Sequence, residues 1–260
     1  MVAATAPFGA DVLKRLAARH EVTALLTRPD RPAGRGRRLA PPPAKLAAER
    51  IGIPVLQPER PTAELALAAD TVVVCAYGLL IPDTLLERGL WLNVHPSLLP
   101  RWRGAAPVER ALLAGDAETG VTIHETVKEL DAGPIAAQRA FAIGSEDDAG
   151  AVFARAADVA VDLLDDVLPR PSFTPQPTEG VTYAAKIGPG DRELDLAASA
   201  DESLRRIRAL SPHIGARAEL HGRRVTIWRA RIEDGELVPV EVQPEGGRRM
   251  EYESFRRGLR

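Results

Sequence analysis

Thr71-Val72-Val73-Val74-Cys75 and, further on, Trp91-Leu92-Asn93-Val94 read as buried strands, and the rest of the fold is built out from them. Each is a short apolar run rich in β-branched or aromatic residues, with no polar face left for solvent. Val22-Thr23-Ala24-Leu25-Leu26 has the same character, and a strand around Val2 to Thr5 opens the chain. Helix-like segments at Asp11 to Arg19, Pro43 to Arg50 and Thr62 to Ala68 alternate with these runs. Strands buried on both faces and separated by helices predict βαβ units and a parallel sheet covered on both sides. The first strand is short for such a sheet, so either translation starts upstream or the strand is trimmed.

Downstream, Ala105 to Ala114 is predicted helical, with Gly115 as its stop. Val121 to His124 and Pro134 to Ile143 are predicted strands. A long helix follows, with Ser145 as N-cap, Glu146, Asp147 and Asp148 in its first turn, and a body from Ala151 to Val167. Pro169 to Pro177 holds four prolines in nine residues and reads as a stiff linker. Beyond a short helix at Asp201 to Leu210, alternating runs at Ala216 to Leu220, Arg224 to Ala230 and Glu236 to Val242 meet at Gly222 and Gly235. Such spacing predicts a small antiparallel sheet or barrel. The expected domains are therefore 1–168, a linker region 169–200, and 201–260.

With 260 residues, 45% of them hydrophobic, the chain can bury a sizeable core, which excludes wholesale disorder. No run of 18 apolar residues occurs, and no secretory leader is visible in the opening residues, so no membrane span and a cytoplasmic location are expected. A single cysteine, Cys75, excludes an intrachain disulfide framework and a cysteine-rich zinc site. From Ser203 onward there are thirteen arginines against eight acids, a net +5, which leaves −7 for the remainder. An acidic body with a basic tail suits a protein that touches a polyanion, and uneven surface charge explains it equally well.

No G-x-G-x-x-G follows the first strand and no P-loop motif is present. The chemistry-bearing stretch is instead Asn93-Val94-His95-Pro96-Ser97-Leu98-Leu99-Pro100-Arg101-Trp102-Arg103-Gly104-Ala105-Ala106-Pro107. Asn93 and His95, two apart on a strand, point to one face at its carboxyl end, where ligands bind in such sheets. A carboxamide beside an imidazole can donate to a developing oxyanion. Asp131, in the glycine-containing turn Glu129 to Pro134, can accept a proton or orient His95. Taken singly, each residue is equally well a structural group: a satisfied histidine, a turn asparagine, an Asx-turn aspartate. The arginine-rich segment Thr27 to Lys45 has no hydrophobic period and reads as an exposed loop.

Together these motifs resemble the folate-dependent formyltransferases. The resemblance is carried by Asn-x-His with Ser-Leu-Leu-Pro and Arg-Gly-Ala-Ala-Pro, by Leu130-Asp131-Ala132-Gly133, by Thr27 to Arg38, by Thr182-Tyr183-Ala184-Ala185-Lys186-Ile187, and by Val242 to Gly247. It covers nearly the whole chain. It implies a Rossmann-like, mostly parallel sheet with helices on both faces, plus a small C-terminal β-barrel of oligonucleotide-binding type. The implied reaction carries a formyl group from 10-formyltetrahydrofolate, as cosubstrate, to the α-amino group of methionine on initiator tRNA, with no metal. The implied catalytic residues are Asn93, His95 and Asp131; Ser97, Leu98, Leu99 and Pro100 would line the folate pocket. Arg31, Arg35, Arg37 and Arg38 would meet tRNA phosphates, giving affinity and salt dependence rather than base readout. A monomer with no membrane partner is expected.

The chain departs from the family's pattern in four places. Ala4-Thr5-Ala6-Pro7 stands where a Gly-Thr-Pro turn is usual, and Pro96 replaces a small residue. Ser211 to Gly215 lacks the usual tryptophan, and the stretch between Ile232 and Val242 is short. Formyl transfer to a small amine uses the same Asn/His/Asp set but has no need of the arginine loop or the basic C-terminal part. A non-catalytic binding relic is the third reading, and the intact set speaks against it.

Overall fold

A computed structural model describes residues 1–33, 38–195 and 197–259. The chain opens with β1 (Val2–Ala4) and α1 (Pro7–Ala17), then β2 (Leu25–Leu26), the hairpin strands β3 (Arg31–Ala33) and β4 (Arg38–Ala40), α2 (Pro43–Arg50) and β5 (Val55–Leu56). Next come β6 (Thr71–Cys75), the one-turn α3 (Asp83–Leu86), β7 (Leu90–His95), β8 (Arg103–Gly104), α4 (Pro107–Ala114), β9 (Glu118–Glu125) and β10 (Ile135–Ala142). The remainder is α5 (Ala149–Val167), β11 (Tyr183–Ala184), α6 (Ala200–Leu210), β12 (Ala216–Leu220), β13 (Arg223–Glu233), β14 (Glu236–Pro244), β15 (Met250–Glu251) and α7 (Tyr252–Arg257). Proline in the first turn starts α1, α2 and α4, where its missing N–H and fixed φ cost nothing. Gly115 ends α4 in the left-handed conformation, φ 73°.

Two compact units divide the chain: Met1–Arg103 with Gly120–Ala140 and Ala154–Thr182, and Gly104–Thr119 with Phe141–Phe153 and Tyr183–Arg260. The first is organised by a seven-stranded sheet of order β10-β9-β7-β6-β1-β2-β5. From β7 to β5 every neighbour is parallel; β9 runs antiparallel to β7. Val72 and Val74 on β6 join Ala3, Leu26, Tyr77, Leu85 and Trp91 in one core, while Val73, from the opposite face of the strand, is also buried. Both faces are covered, as the apolar runs require. Arg15 of α1, with Arg19 and His20 just beyond its end, pair with Asp158, Asp162 and Asp165 of α5. Such exposed pairs are worth about 0–1 kcal/mol each, so burial does most of the holding.

The second unit has two cores, and α6 faces both. Ala209 joins Val108, Leu112, Ala149 and Val152, whereas Ile207 and Leu210 join Ala216, Val225, Ile227, Val242 and Phe255. The strands form an antiparallel sheet of order β12-β13-β14-β15. Its first two turns are His221-Gly222 and Asp234-Gly235, two-residue loops with positive φ at both positions, which suit the twist of a hairpin.

Two local expectations are corrected. Thr62 to Ala68 is not helical; Leu65, Leu67 and Ala69 instead pack on the core at two-residue spacing from a bent, extended stretch. The long helix starts at Ala149, where Asp148 Oδ1 accepts from the Ala151 N–H at 2.9 Å. Asp147 is held back by Gly144 N, so the acids serve the loop and the cap, and Ser145 is not the cap. The proline-rich stretch is tied to the sheet: Thr174 and Ile135 exchange both backbone hydrogen bonds, at 2.8 and 2.9 Å. Prolines lack the N–H, but the residues between them retain it.

Candidate active site

The site forms where β7 meets β9. Their antiparallel register sets Asn93 opposite His124 and His95 opposite Thr122. Residues facing each other across a strand pair project on one side, so all four side chains share a face. Asp131 arrives from the β9–β10 turn with φ 49°, a conformation that aspartate tolerates better than most residues. That turn needs Gly133: a Cβ there would lie 1.8 Å from the Glu125 carbonyl oxygen.

Asn93 is the hub. Its Nδ2 donates to Asp131 Oδ1 and to His124 Nε2, each at 3.1 Å. His124 Nδ1–H donates to the Glu125 carbonyl at 2.8 Å, which leaves Nε2 as the acceptor Asn93 requires and fixes a neutral tautomer. Burial, opposed by the bond to Glu125, lowers its pKa from 6.5 to about 4. His95 Nδ1 lies 3.7 Å from Asp131 Oδ2, and its Nε2–H donates to the Trp102 carbonyl at 2.8 Å. Trp102 holds φ 63°, with its N–H bound by Thr182 Oγ1 at 2.9 Å. The structure therefore brings together Asn93, His95 and Asp131 and adds His124, which the sequence shows only as the last residue of an expected strand.

The Ser97–Pro100 loop stands next to this cluster, with a cis peptide before Pro100. Ser97 and Leu99 are buried, while Leu98 and Pro100 are half-buried. Thr122 organises the loop: its Oγ1 donates to the Ser97 carbonyl and accepts from Leu99 N and from Gln138 Nε2. Ser97 Oγ donates to the Arg101 carbonyl. The polar groups of Ser97 serve the loop itself, and the partly exposed side chains of the loop are Leu98 and Pro100.

Gln176, from the proline-rich stretch, is a contact to the Asp131 turn that the sequence does not signal. Its Nε2 donates to the carbonyls of Asp131 and Gly133, both at 2.8 Å, and its Oε1 accepts from Arg103. A cavity of about 500 Å³ opens here, lined by Arg103, Glu129, Ala132, Pro134, Gln176 and Val181 among others. Of the arginine loop, Arg31 on β3 pairs with Glu59 at 3.3 Å and Arg38 on β4 is exposed. Arg35 and Arg37 lie outside the described residues. The base of the loop is clamped by Lys45 and Gln57 on Asp30, whose pKa they lower, Gln57 most.

The fold is that of an α/β protein with a mostly parallel sheet, and the carboxamide, two imidazoles and carboxylate gathered at one strand end are groups that can handle a proton and a developing charge. Residues 1–168 match the formyl transferase family and residues 186–237 match the formyl transferase C-terminal domain, and the chain belongs to this family. It is 43% identical over 249 residues to the methionyl-tRNA formyltransferase of Paracoccus denitrificans (strain Pd 1222), covering 92% of this chain and 84% of the relative. To the protein of the same name from Cereibacter sphaeroides (strain ATCC 17029 / ATH 2.4.9) it is 41% identical over 286 residues, with 97% and 93% covered. The solved methionyl-tRNA formyltransferase from Clostridium thermocellum aligns with TM-score 0.59 and 20% identity, over 67% of this chain and 77% of that one, a likeness of fold.

Proposed function

We propose that this chain transfers a formyl group from 10-formyltetrahydrofolate to the α-amino group of methionine on initiator tRNA. The observation that carries the reading is identity of more than 40% to methionyl-tRNA formyltransferases along nearly the full length of both chains. The Asn93–His95–Asp131 cluster gives it a chemical means. The folate supplies the formyl carbon; the chain's residues manage charge and proton. In this reading Asp131 takes a proton from the attacking amine, directly or through water, and returns it to folate N10 as the tetrahedral intermediate collapses, the formyl carbon–N10 bond breaks and tetrahydrofolate leaves.

Proton uptake at Asp131 also bears on Asn93. Both Nδ2 hydrogens point at His124 and Asp131. A protonated carboxyl is a poorer acceptor than a carboxylate, so Asn93 can turn one N–H toward the oxygen on which charge gathers. His95 would turn the N–H now held by the Trp102 carbonyl toward the same oxygen, with Leu98 and Pro100 in the wall of the folate pocket along with the rest of Ser97–Pro100.

Residues 1–168 would form the catalytic domain, 169–200 the connecting region and 201–260 a basic domain for tRNA. Arg223, Arg224, Arg229 and Arg231 are exposed on β13 there; they, and separately Arg31, Arg35, Arg37 and Arg38, would offer charge to a phosphate backbone. In this reading the enzyme works in the cytoplasm, as a monomer. Among the described residues no helix is long and apolar enough to cross a membrane.

The test is transfer of a labelled formyl group from 10-formyltetrahydrofolate to initiator Met-tRNA, with glycinamide ribonucleotide and amino-sugar nucleotides as competing acceptors. Label on Met-tRNA, absent with a folded His95→Ala variant, is the expected result. Label on a small amine alone would replace the acceptor, and folate binding with no transfer would leave a binding protein.

A further inference from the structure

Gln176 lies between Pro175 and Pro177 in a stretch whose composition suggests nothing but a spacer. Its carboxamide is nonetheless fully committed. Oε1 accepts from Arg103 Nε at 3.1 Å and Nη2 at 2.6 Å. Nε2 directs one hydrogen to the Asp131 carbonyl and the other to the Gly133 carbonyl, at 2.8 Å each. Arginine only donates and the two carbonyls only accept, so the amide can face one way round and no other.

We propose that Gln176 is a positioning residue for Asp131. Asp131 is a non-glycine residue at φ 49°, a state that persists only where its surroundings impose it. Asn93 holds its carboxylate and Gln176 holds its backbone, drawing the carbonyls of residues 131 and 133 onto one nitrogen. The clamp is itself braced. The double backbone bond between Thr174 and Ile135 fixes the stretch to the strand that leaves the turn, and the flanking prolines limit the backbone on either side of Gln176. Because all its hydrogen-bonding groups are engaged, Gln176 has none to offer a substrate in the adjoining cavity, and its effect reaches the reaction through Asp131. The inference rests on the proposed catalytic role of Asp131.

The experiment compares wild type with Gln176→Glu, Gln176→Met and Asp131→Asn, using labelled formyl transfer to Met-tRNA across a pH series. Gln176→Glu keeps an acceptor for Arg103 and loses both donors; Gln176→Met keeps length and loses everything polar. Both are expected to reduce kcat on the order of 100-fold, the scale set by a misplaced catalytic group. KM for folate and for tRNA should stay within about threefold of wild type. The acid limb of the kcat–pH profile should shift in both, a change that loss of packing alone would not produce. A raised KM with unchanged kcat would mean direct substrate contact and overturn the proposal, as would wild-type kinetics in Gln176→Glu. Full activity of Asp131→Asn would instead remove the catalytic reading of Asp131, whatever the Gln176 variants do.

Discussion

Asn93 and Asp131 are 38 residues apart in the chain, yet Asn93 Nδ2 donates to Asp131 Oδ1 at 3.1 Å while its second hydrogen meets His124. The asparagine thus joins a strand end to a turn, and its amide orientation is dictated by a carboxylate on one side and a neutral imidazole on the other. Replacing it removes a donor and both ties. Asn93→Ala is expected to lower kcat by roughly 10²–10³ with the fold retained, measured as formyl transfer beside a thermal melt. A folded variant with near-normal turnover would exclude Asn93 from the reaction.

His124 should make stability fall toward acid. Its folded pKa, about 4, lies below the free value of 6.5, so between these pH values the unfolded chain binds a proton that the folded chain does not. Its contribution is full above pH 6.5 and declines as pH drops toward 4, by up to about 3 kcal/mol. Urea unfolding at pH 7 and pH 4.5 should show a steeper loss for wild type than for His124→Gln. Equal losses would mean that burial does not hold this ring neutral.

Gly133→Ala would drive a Cβ into the Glu125 carbonyl and disturb the Asp131 turn. A destabilisation of about 1–3 kcal/mol, with a fall in kcat, is expected. Gly190→Ala is the control, since nothing lies within 4 Å of its added carbon. Similar melting temperatures for the two variants would show that the turn can give way.

The arginine hairpin should be read through salt. Arg38→Ala is expected to weaken tRNA binding and to lower the slope of log affinity against log salt by about 1, with folate binding unchanged. Arg35→Ala should weaken tRNA use far more than folate binding. An unchanged slope for Arg38→Ala would place that side chain away from phosphates.

Cys75 ends β6 fully buried, and burial pushes its thiol pKa far up. Thiol reagents at pH 8 should leave it unmodified in the folded protein and label it in denaturant. Rapid labelling under native conditions would mean that the core around β6 opens easily.

How far the sequence could be read varied with the range of the interaction. β6 and β7 were legible because a run of β-branched and aromatic residues states its own burial, and α2 because a proline starts it. Thr62 to Ala68 misled because Leu65, Leu67 and Ala69 alternate at a spacing of two, and the core took that extended pattern over helix propensity. Ser145 misled because Asp148, closer to the helix, offers the same capping oxygen.

The two-residue period of a strand is local, so the sequence by itself determined that Asn93 and His95 share a face at a strand end, and that Asp131 and Gly133 share a turn. It also determined a covered parallel sheet followed by a small antiparallel one. Only the tertiary structure decided that His124 stands opposite Asn93, because strand register is set by the packing of the whole sheet. The same holds for Gln176: its partners at the turn are two main-chain carbonyls, groups that every residue carries and that leave no mark in a sequence.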